Sequence, residues 1–387
     1  MRITIISPIP SLSGGFKVIV IYAQRLARMG HTVHFVFPPG RTTAFRHKMK
    51  SWLRGNGWPN DSLLPQSHLD GSNIDYNVLD RLRPVTDDDV PDADVVIATW
   101  WQTAEWVANL APQKGAKVHF IQHYEIFDGP RHDYFYGSHD KIVDSPLVAR
   151  VKAVWRLPLY KITISKWLVD LAAREYGIKK TWLIHNSVDT DQFYAPPRGR
   201  QGRPTVGLLY SAAKWKGVDV SLSAIELASK RIPGLRVISF GAEPIVDYLP
   251  LPTGAIFHYR PEQNSIRNLY ASCDVWLCGS YSEGFHLPPL EAMACRCPVV
   301  STSVGGPMDI VESGYNGYLV PTGDAQALAD RLVDVLNLDD TAWRAMSDAA
   351  LATATRYTWD DAAKLMERAL GEIITLSQNY SHHSVAR

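Results

Sequence analysis

The chain is 387 residues long, with 46% hydrophobic and 20% charged residues and a formal net charge of +1. That length favours two domains with a ligand cleft between them, and the composition excludes a disordered chain and a generally basic nucleic-acid binder. No window approaches the roughly 20 apolar residues of a membrane span. The apolar run after Met1 is too short for a secretory leader, so a cytoplasmic protein is expected, at most peripheral to the inner face of a membrane.

Residues 3–6 are a short apolar run, a loop with Gly14 and Gly15 follows, and Val18, Tyr22, Leu26 and Met29 recur at helical spacing until Gly30. Residues 33–37 read as the next strand. This strand, glycine loop, helix, strand order is a βαβ unit, and it recurs loosely at 95–98, 118–122 and 161–165. A second start of the same kind lies at 205–210, followed by a helix at 220–230 and strands at 237–240, 255–258 and 275–278. The expectation is an α/β fold of two Rossmann-like, doubly wound domains facing a central cleft. They span 1–195 and 205–370, joined by the Pro-, Gly- and Arg-rich linker 196–204. The last helix, from about 359, carries an apolar stripe at 362, 363, 366, 369, 370 and 373; it closes the second domain, or its end (371–387) crosses back to the first. Cys273, Cys278, Cys295 and Cys297 match no zinc or redox spacing and read as buried structural thiols.

The stretch 280–294, at the end of an apolar strand, sets Glu283 and Glu291 eight positions apart. Pro288 and Pro289 mark the first turn of a helix, so Glu283 falls in the loop and Glu291 faces out of the first turn. A carboxylate at each place can bind sugar hydroxyls, while the helix start suits a diphosphate. The chain here resembles the retaining glycosyltransferases of the GT-B fold, and specifically glycosyltransferase family 4. The resemblance implies that Glu283 contacts the donor sugar and Glu291 the nucleotide ribose. The intervening Gly284, Phe285, His286 and Leu287 count with the donor-binding positions. His286 stands where the family often has glycine, which bears on the sugar that fits.

The same resemblance extends to other loops. Lys216-Gly217 matches the family's phosphate-neutralising lysine; Ser211 stands where an arginine is usual, and Lys214 is either its substitute or a surface residue. The Gly14-Gly15 loop resembles the one that approaches the donor phosphate. His123, after the strand at 118–122, matches a histidine near the reacting bond; Glu125 and His119 beside it carry less of the argument. Tyr259 and Arg260 fall where the family holds the base, or else belong to a surface loop. Gly305 and Gly306 resemble a further donor loop, with Asp309 the nearest equivalent of its usual glutamate, and the two glycines read equally well as turn residues. Phe120-Ile121-Gln122 and Leu209-Tyr210-Ser211 look like segments of members that transfer rhamnose in surface polysaccharides.

Asp92-x-Asp94 precedes its strand and Asp189-x-Asp191 matches an interdomain segment, so no metal site and no cofactor are expected. The expected partners are a nucleotide sugar and a glycan or lipid-linked acceptor. Residues 41–58, basic and amphipathic, either touch an anionic membrane or acceptor or pack as a solvated helix on their own domain. Three rivals stand beside the transferase: a nucleotide-sugar epimerase on the same fold, a degenerate binding protein, and a dinucleotide oxidoreductase, whose Gly-x-Gly-x-x-Gly is missing from the first loop.

Overall fold

The computed structural model describes residues 1–40, 49, 64–126 and 146–385, with side chains as far as 379. Apart from Met49, the basic stretch 41–58 lies outside the described residues.

Two parallel sheets form the molecule. The first joins β1 (Arg2–Ile6), β2 (Thr32–Phe37), β3 (Asp75–Val78), β4 (Val95–Ala98), β5 (Ala116–Ile121), β6 (Tyr160–Thr163) and β7 (Trp182–Leu183) in the order β3-β2-β1-β4-β5-β6-β7. The second joins β8 (Thr205–Leu209), β9 (Arg236–Gly241), β10 (Ile256–Tyr259), β11 (Val275–Cys278), β12 (Val299–Thr302) and β13 (Gly317–Val320) in the order β10-β9-β8-β11-β12-β13. Both are doubly wound, with the strand order reversing beside β1 and beside β8. The central strands β4, β11 and β12 are buried at every residue, as parallel strands covered by helices on both faces must be.

Helix α1 (Gly14–Arg28) starts where the Ser13 hydroxyl accepts the Phe16 N–H at 3.3 Å, and it buries Phe16, Val18, Ile19, Tyr22 and Leu26 on the sheet. The first domain continues with α2 (Trp101–Ala108), α3 (Pro146–Val154) and α4 (Lys166–Tyr176). The second carries α5 (Val218–Ser229), α6 (Gln263–Ala271), α7 (Leu287–Ala294), α8 (Pro307–Ile310), α9 (Ala325–Leu336) and α10 (Asp340–Thr355). All four cysteines are buried free thiols. No helix among the described residues is long and apolar enough to cross a membrane.

The crossing back to the first domain begins well before residue 371. Helix α11 (Trp359–Val385) lays Trp359 edge-on against Tyr22 of α1, with ring centroids 5.6 Å apart. Arg25 donates to Asp360 at 3.0 Å, His31 pairs with Glu367 at 2.7 Å, and Trp182 of β7 donates to Glu372 at 3.0 Å. Ala362, Met366, Ala369, Leu370 and Ile373 of the stripe thus join Ile3, Phe35, Val95 and Ile162 of the first sheet in one core cluster that also takes in Ile238 and Trp276 of the second, where each fully buried large side chain contributes about 1.5–3 kcal/mol. The linker 196–204 is likewise fastened down. Arg198 donates to the Cys273 carbonyl and Arg200 to that of Leu338, while the Gln201 N–H donates to Asp274 at 2.7 Å.

Candidate active site

The C-terminal ends of both sheets open on one cleft of about 590 Å³, whose walls include Ser7 after β1, Thr99 after β4, Gln122 after β5, Leu209 of β8 and Phe240 of β9. Into it project Gly14, Gly15, His123, Lys216, Glu283, Gly284, Phe285, His286, Leu287 and Glu291. Residues from both domains and from positions up to 284 apart, Ser7 to Glu291, are brought together there.

Lys216 closes a short turn before α5 and donates to both oxygens of Glu283, at 2.8 and 3.0 Å. Ser280 adds a third hydrogen bond at 2.8 Å. Burial alone would raise the Glu283 carboxyl, but the charge of His286, protonated at the acid pH where Glu283 titrates, then the charge of Lys216 and these hydrogen bonds win and hold it at about 2. His286 Nε2 lies 3.6 Å from Glu283 Oε1. Burial keeps its imidazole neutral, with a pKa lowered to about 4, so Lys216 is the cation that balances Glu283. His286 adopts a left-handed backbone (φ 69°) at the start of α7, an uncommon state for a residue with Cβ. Pro288 and Pro289 lack N–H groups, so backbone donors at this helix start come from His286, Leu287 and Leu290.

Glu291 lies in the second turn of α7 rather than the first, turned inward. The Tyr270 hydroxyl donates to its Oε2 at 2.9 Å, and Lys17 of α1 stands 3.9 Å from Oε1, across the cleft. His123 also bridges the domains. Its Nδ1 accepts the Glu125 N–H at 3.1 Å, and its Nε2 lies 3.2 Å from the Ser282 hydroxyl. Burial lowers its pKa to about 4. Two further contacts cross beside it. The Trp167 indole N–H donates to the Gly284 carbonyl at 3.0 Å, and a Cβ on Gly284 would stand 1.7 Å from the Gln122 carbonyl oxygen. Only glycine permits this approach.

Residues 12–192 match the family described as Glycosyltransferase Family 4, and residues 192–351 match Glycosyl transferases group 1. The chain belongs to this glycosyltransferase family. The D-inositol 3-phosphate glycosyltransferase of Mycobacterium avium (strain 104) is 31% identical over 195 residues, 46% of this chain and 46% of that protein. The protein of the same name from Corynebacterium urealyticum is 31% identical over 173 residues, 41% of each chain. The match thus spans less than half the length of these curated relatives. Among solved structures, the sucrose-phosphate synthase of Thermosynechococcus elongatus superposes with a TM-score of 0.72 at 17% identity, covering 97% of this chain and 100% of that one. HepE of Anabaena, solved with UDP-glucose, superposes with a TM-score of 0.67 at 20% identity, covering 98% and 100%. At those identities the likeness carries the fold, which is GT-B.

Against this family's pattern, several expected positions lie away from the cavity. Ser211 is spent locally, its hydroxyl accepting the Ala213 N–H at 3.2 Å, and Lys214 is exposed on the turn. Tyr259 is 51% exposed at the end of β10, and Arg260 donates to the Ala242 carbonyl at 2.9 Å. Gly306 does not open on a ligand either: a Cβ there would stand 2.1 Å from the Phe285 carbonyl oxygen, to which its own N–H donates at 2.8 Å. Asp309 turns to the first domain, accepting the Lys166 N–H at the start of α4 at 2.9 Å and pairing with His185 at 3.2 Å. His119 is a buried residue of β5, its pKa lowered by burial to about 3. Asp92 pairs with Lys114, Asp94 with Arg2, and Asp189 caps its own turn. Among the described residues no three His, Cys, Asp or Glu side chains converge as a metal site would require.

Sequence reasoning missed Lys17, Tyr270, Ser282 and Trp167. Lys17 lies two residues beyond the glycine pair, one helical step from the loop already singled out. Ser282 and Trp167 carried no signal, because their role depends on how the two domains face each other.

Proposed function

We propose that the protein is a retaining glycosyltransferase that moves a hexose or deoxyhexose from a nucleoside diphosphate sugar to a hydroxyl of a glycan or lipid-linked acceptor, without a metal. The observation that carries this reading is the convergence of His123, Lys216, Glu283 and Glu291 in one cleft between the domains. HepE, of the same fold, was solved with UDP-glucose, which supports a nucleotide sugar as the ligand here.

In this reading Glu291 and Tyr270 take the ribose hydroxyls, and Glu283, held ionised, accepts from the sugar hydroxyls. Lys216 and the start of α7 face the diphosphate, the group on which negative charge grows as the bond to the anomeric carbon breaks. The anomeric carbon loses its bond to the phosphate oxygen and gains one to the acceptor oxygen on the same face. The acceptor's proton goes to the departing phosphate oxygen. Close approach of the domains at Gly284 and His123 excludes water, which would otherwise compete as nucleophile.

The test is nucleoside diphosphate release by the purified protein across a panel of nucleotide sugars, with and without EDTA. Release from one donor, unaffected by EDTA and abolished by Glu283→Ala or Lys216→Ala, is expected. Conversion of a donor into another nucleotide sugar with no acceptor present would replace this reading by an epimerase. A panel in which no donor is hydrolysed and none raises the melting temperature would leave a degenerate binding protein.

A further inference from the structure

Glu125 lies on the first domain's wall of the cleft, and the mechanism above gives it no task. Its side chain is buried, with the residue 4% exposed, and its backbone φ is +60°. A left-handed backbone is strained for a residue with Cβ, a cost glycine would not incur. Something must therefore compensate at a position where glycine would be the simpler choice.

Two contacts do so. Glu125 Oε2 accepts the N–H of Trp101, the first residue of α2, at 3.0 Å. That N–H has no acceptor within its own helix, so a carboxyl supplied from another loop satisfies it. The left-handed turn in turn swings the Glu125 N–H onto His123 Nδ1 at 3.1 Å. A backbone N–H only donates, so Nδ1 carries the lone pair, and a neutral imidazole then holds its proton on Nε2. Nε2 is the nitrogen that faces the second domain, 3.2 Å from the Ser282 hydroxyl and one residue from Glu283.

We propose that Glu125 is a positioning residue for His123: its carboxyl, anchored on the N-terminus of α2, holds the left-handed turn whose N–H fixes the His123 imidazole in the Nε2–H form facing the donor. The catalytic consequence rests on the transferase reading; the structural part does not. Burial raises the Glu125 carboxyl to about 8, so near neutral pH it is largely uncharged and is kept dry at little cost.

The experiment uses the full chain labelled with 15N-histidine, His123 being assigned by its loss in His123→Gln. Long-range 15N–1H correlation, without substrate, reads the tautomer. Wild type is expected in the Nε2–H form. Glu125→Ala, and Glu125→Asp, whose carboxyl is one methylene too short to reach Trp101, are expected to show mixed tautomers. Glu125→Gln, whose amide oxygen can accept the same N–H, is expected to restore the wild-type signature. In donor hydrolysis Glu125→Ala should lower kcat by about tenfold to a hundredfold, the scale of a misplaced catalytic group, with nucleotide Kd changed less than about twofold, and Glu125→Gln should recover most of the loss. An unchanged His123 tautomer in both Glu125→Ala and Glu125→Asp overturns the proposal, as does a changed tautomer with unchanged kcat. Should wild type hydrolyse no donor at all, the transferase reading falls on its own, and the tautomer measurement still decides the positioning.

Discussion

Lys216 grips both oxygens of Glu283, at 2.8 and 3.0 Å, in a loop where Glu283 is only 6% exposed. The pair is therefore a buried ion pair. Removing one partner leaves an uncompensated buried charge. Lys216→Met is expected to destabilise the protein by about 3–5 kcal/mol, and Lys216→Met with Glu283→Gln by clearly less, because the charge goes with its partner. Urea unfolding of the two variants checks this. Equal destabilisation by the single and the double variant would show that the pair is not balanced in the way its geometry indicates.

The second expectation concerns Gly284. Its Cα faces the Gln122 carbonyl so closely that an added Cβ would stand 1.7 Å away, and the contact joins the two domains. Backbone on both sides leaves nothing flexible to yield. Gly284→Ala should therefore push the domains apart, with each domain still folded. Small-angle scattering should report a larger radius of gyration, and donor hydrolysis should fall at least tenfold while the melting temperature moves little. A variant with wild-type dimensions and wild-type turnover would mean that the close approach is not required for activity.

Much of the fold was legible because it rests on signals that are local in sequence. β4 and β11 fall at the expected residues, 95–98 and 275–278, since both are short apolar runs with no competing pattern. β3 was not foreseen: it is an edge strand reading Asp-Tyr-Asn-Val with three of its four residues exposed, so no apolar alternation marks it. β7, two residues long, is equally silent. The cleft residues after β11 were legible because carboxylates, glycine and prolines coincide at a helix start. The partners Ser282, Trp167 and Lys17 were not, because each meets its counterpart only across the domain boundary. The placement of Asp309 was hidden for the same reason: its neighbours in sequence resemble a donor loop, while its carboxylate reaches α4 of the other domain.

Three buried histidines and the buried Glu125 carboxyl give opposite pH dependences, overlapping between pH 4.5 and 6.5, with only Glu125 of these four titrating above 6.5. Burial lowers His119 to about 3 and His123 and His286 to about 4, from 6.5. Between these values the unfolded chain binds protons that the folded one does not, so stability falls as pH drops from 6.5 towards 4. Glu125 works the other way: its folded carboxyl keeps a proton up to about 8 while the unfolded one loses it near 4.5, so stability falls as pH rises from 4.5 to 8. Each proton is worth about 1.4 kcal/mol per pH unit at full effect. Glu125→Gln should therefore flatten the decline between pH 6.5 and 8, and His119→Asn should soften the loss below pH 6.5. Urea midpoints measured at half-unit intervals decide it, and curves parallel to wild type would contradict both assignments.

The contact between Lys17 and Glu291 joins the two domains across the cleft. Burial raises the Glu291 carboxyl, while the Lys17 charge 3.9 Å away and the Tyr270 hydroxyl pull it back. Lys17 also lies over the Phe193 ring, 5.4 Å from its centroid, which holds the ammonium near the cleft instead of in solvent. Lys17→Met removes one of the two groups that favour the ionised form, so Glu291 should hold its proton to a higher pH. A protonated Glu291 has one acceptor fewer for the ribose hydroxyls. Nucleoside diphosphate affinity should then fall by about threefold to tenfold at the acid end of the range, the scale of one ordinary hydrogen bond, and recover as pH rises. Lys17→Arg keeps the charge and should show neither effect. Titration calorimetry with the nucleoside diphosphate that wild type binds, at three pH values, is the measurement. A loss in Lys17→Met that is the same at every pH would mean that Lys17 touches the nucleotide directly; no loss at any pH would mean that Glu291 does not hold the ribose.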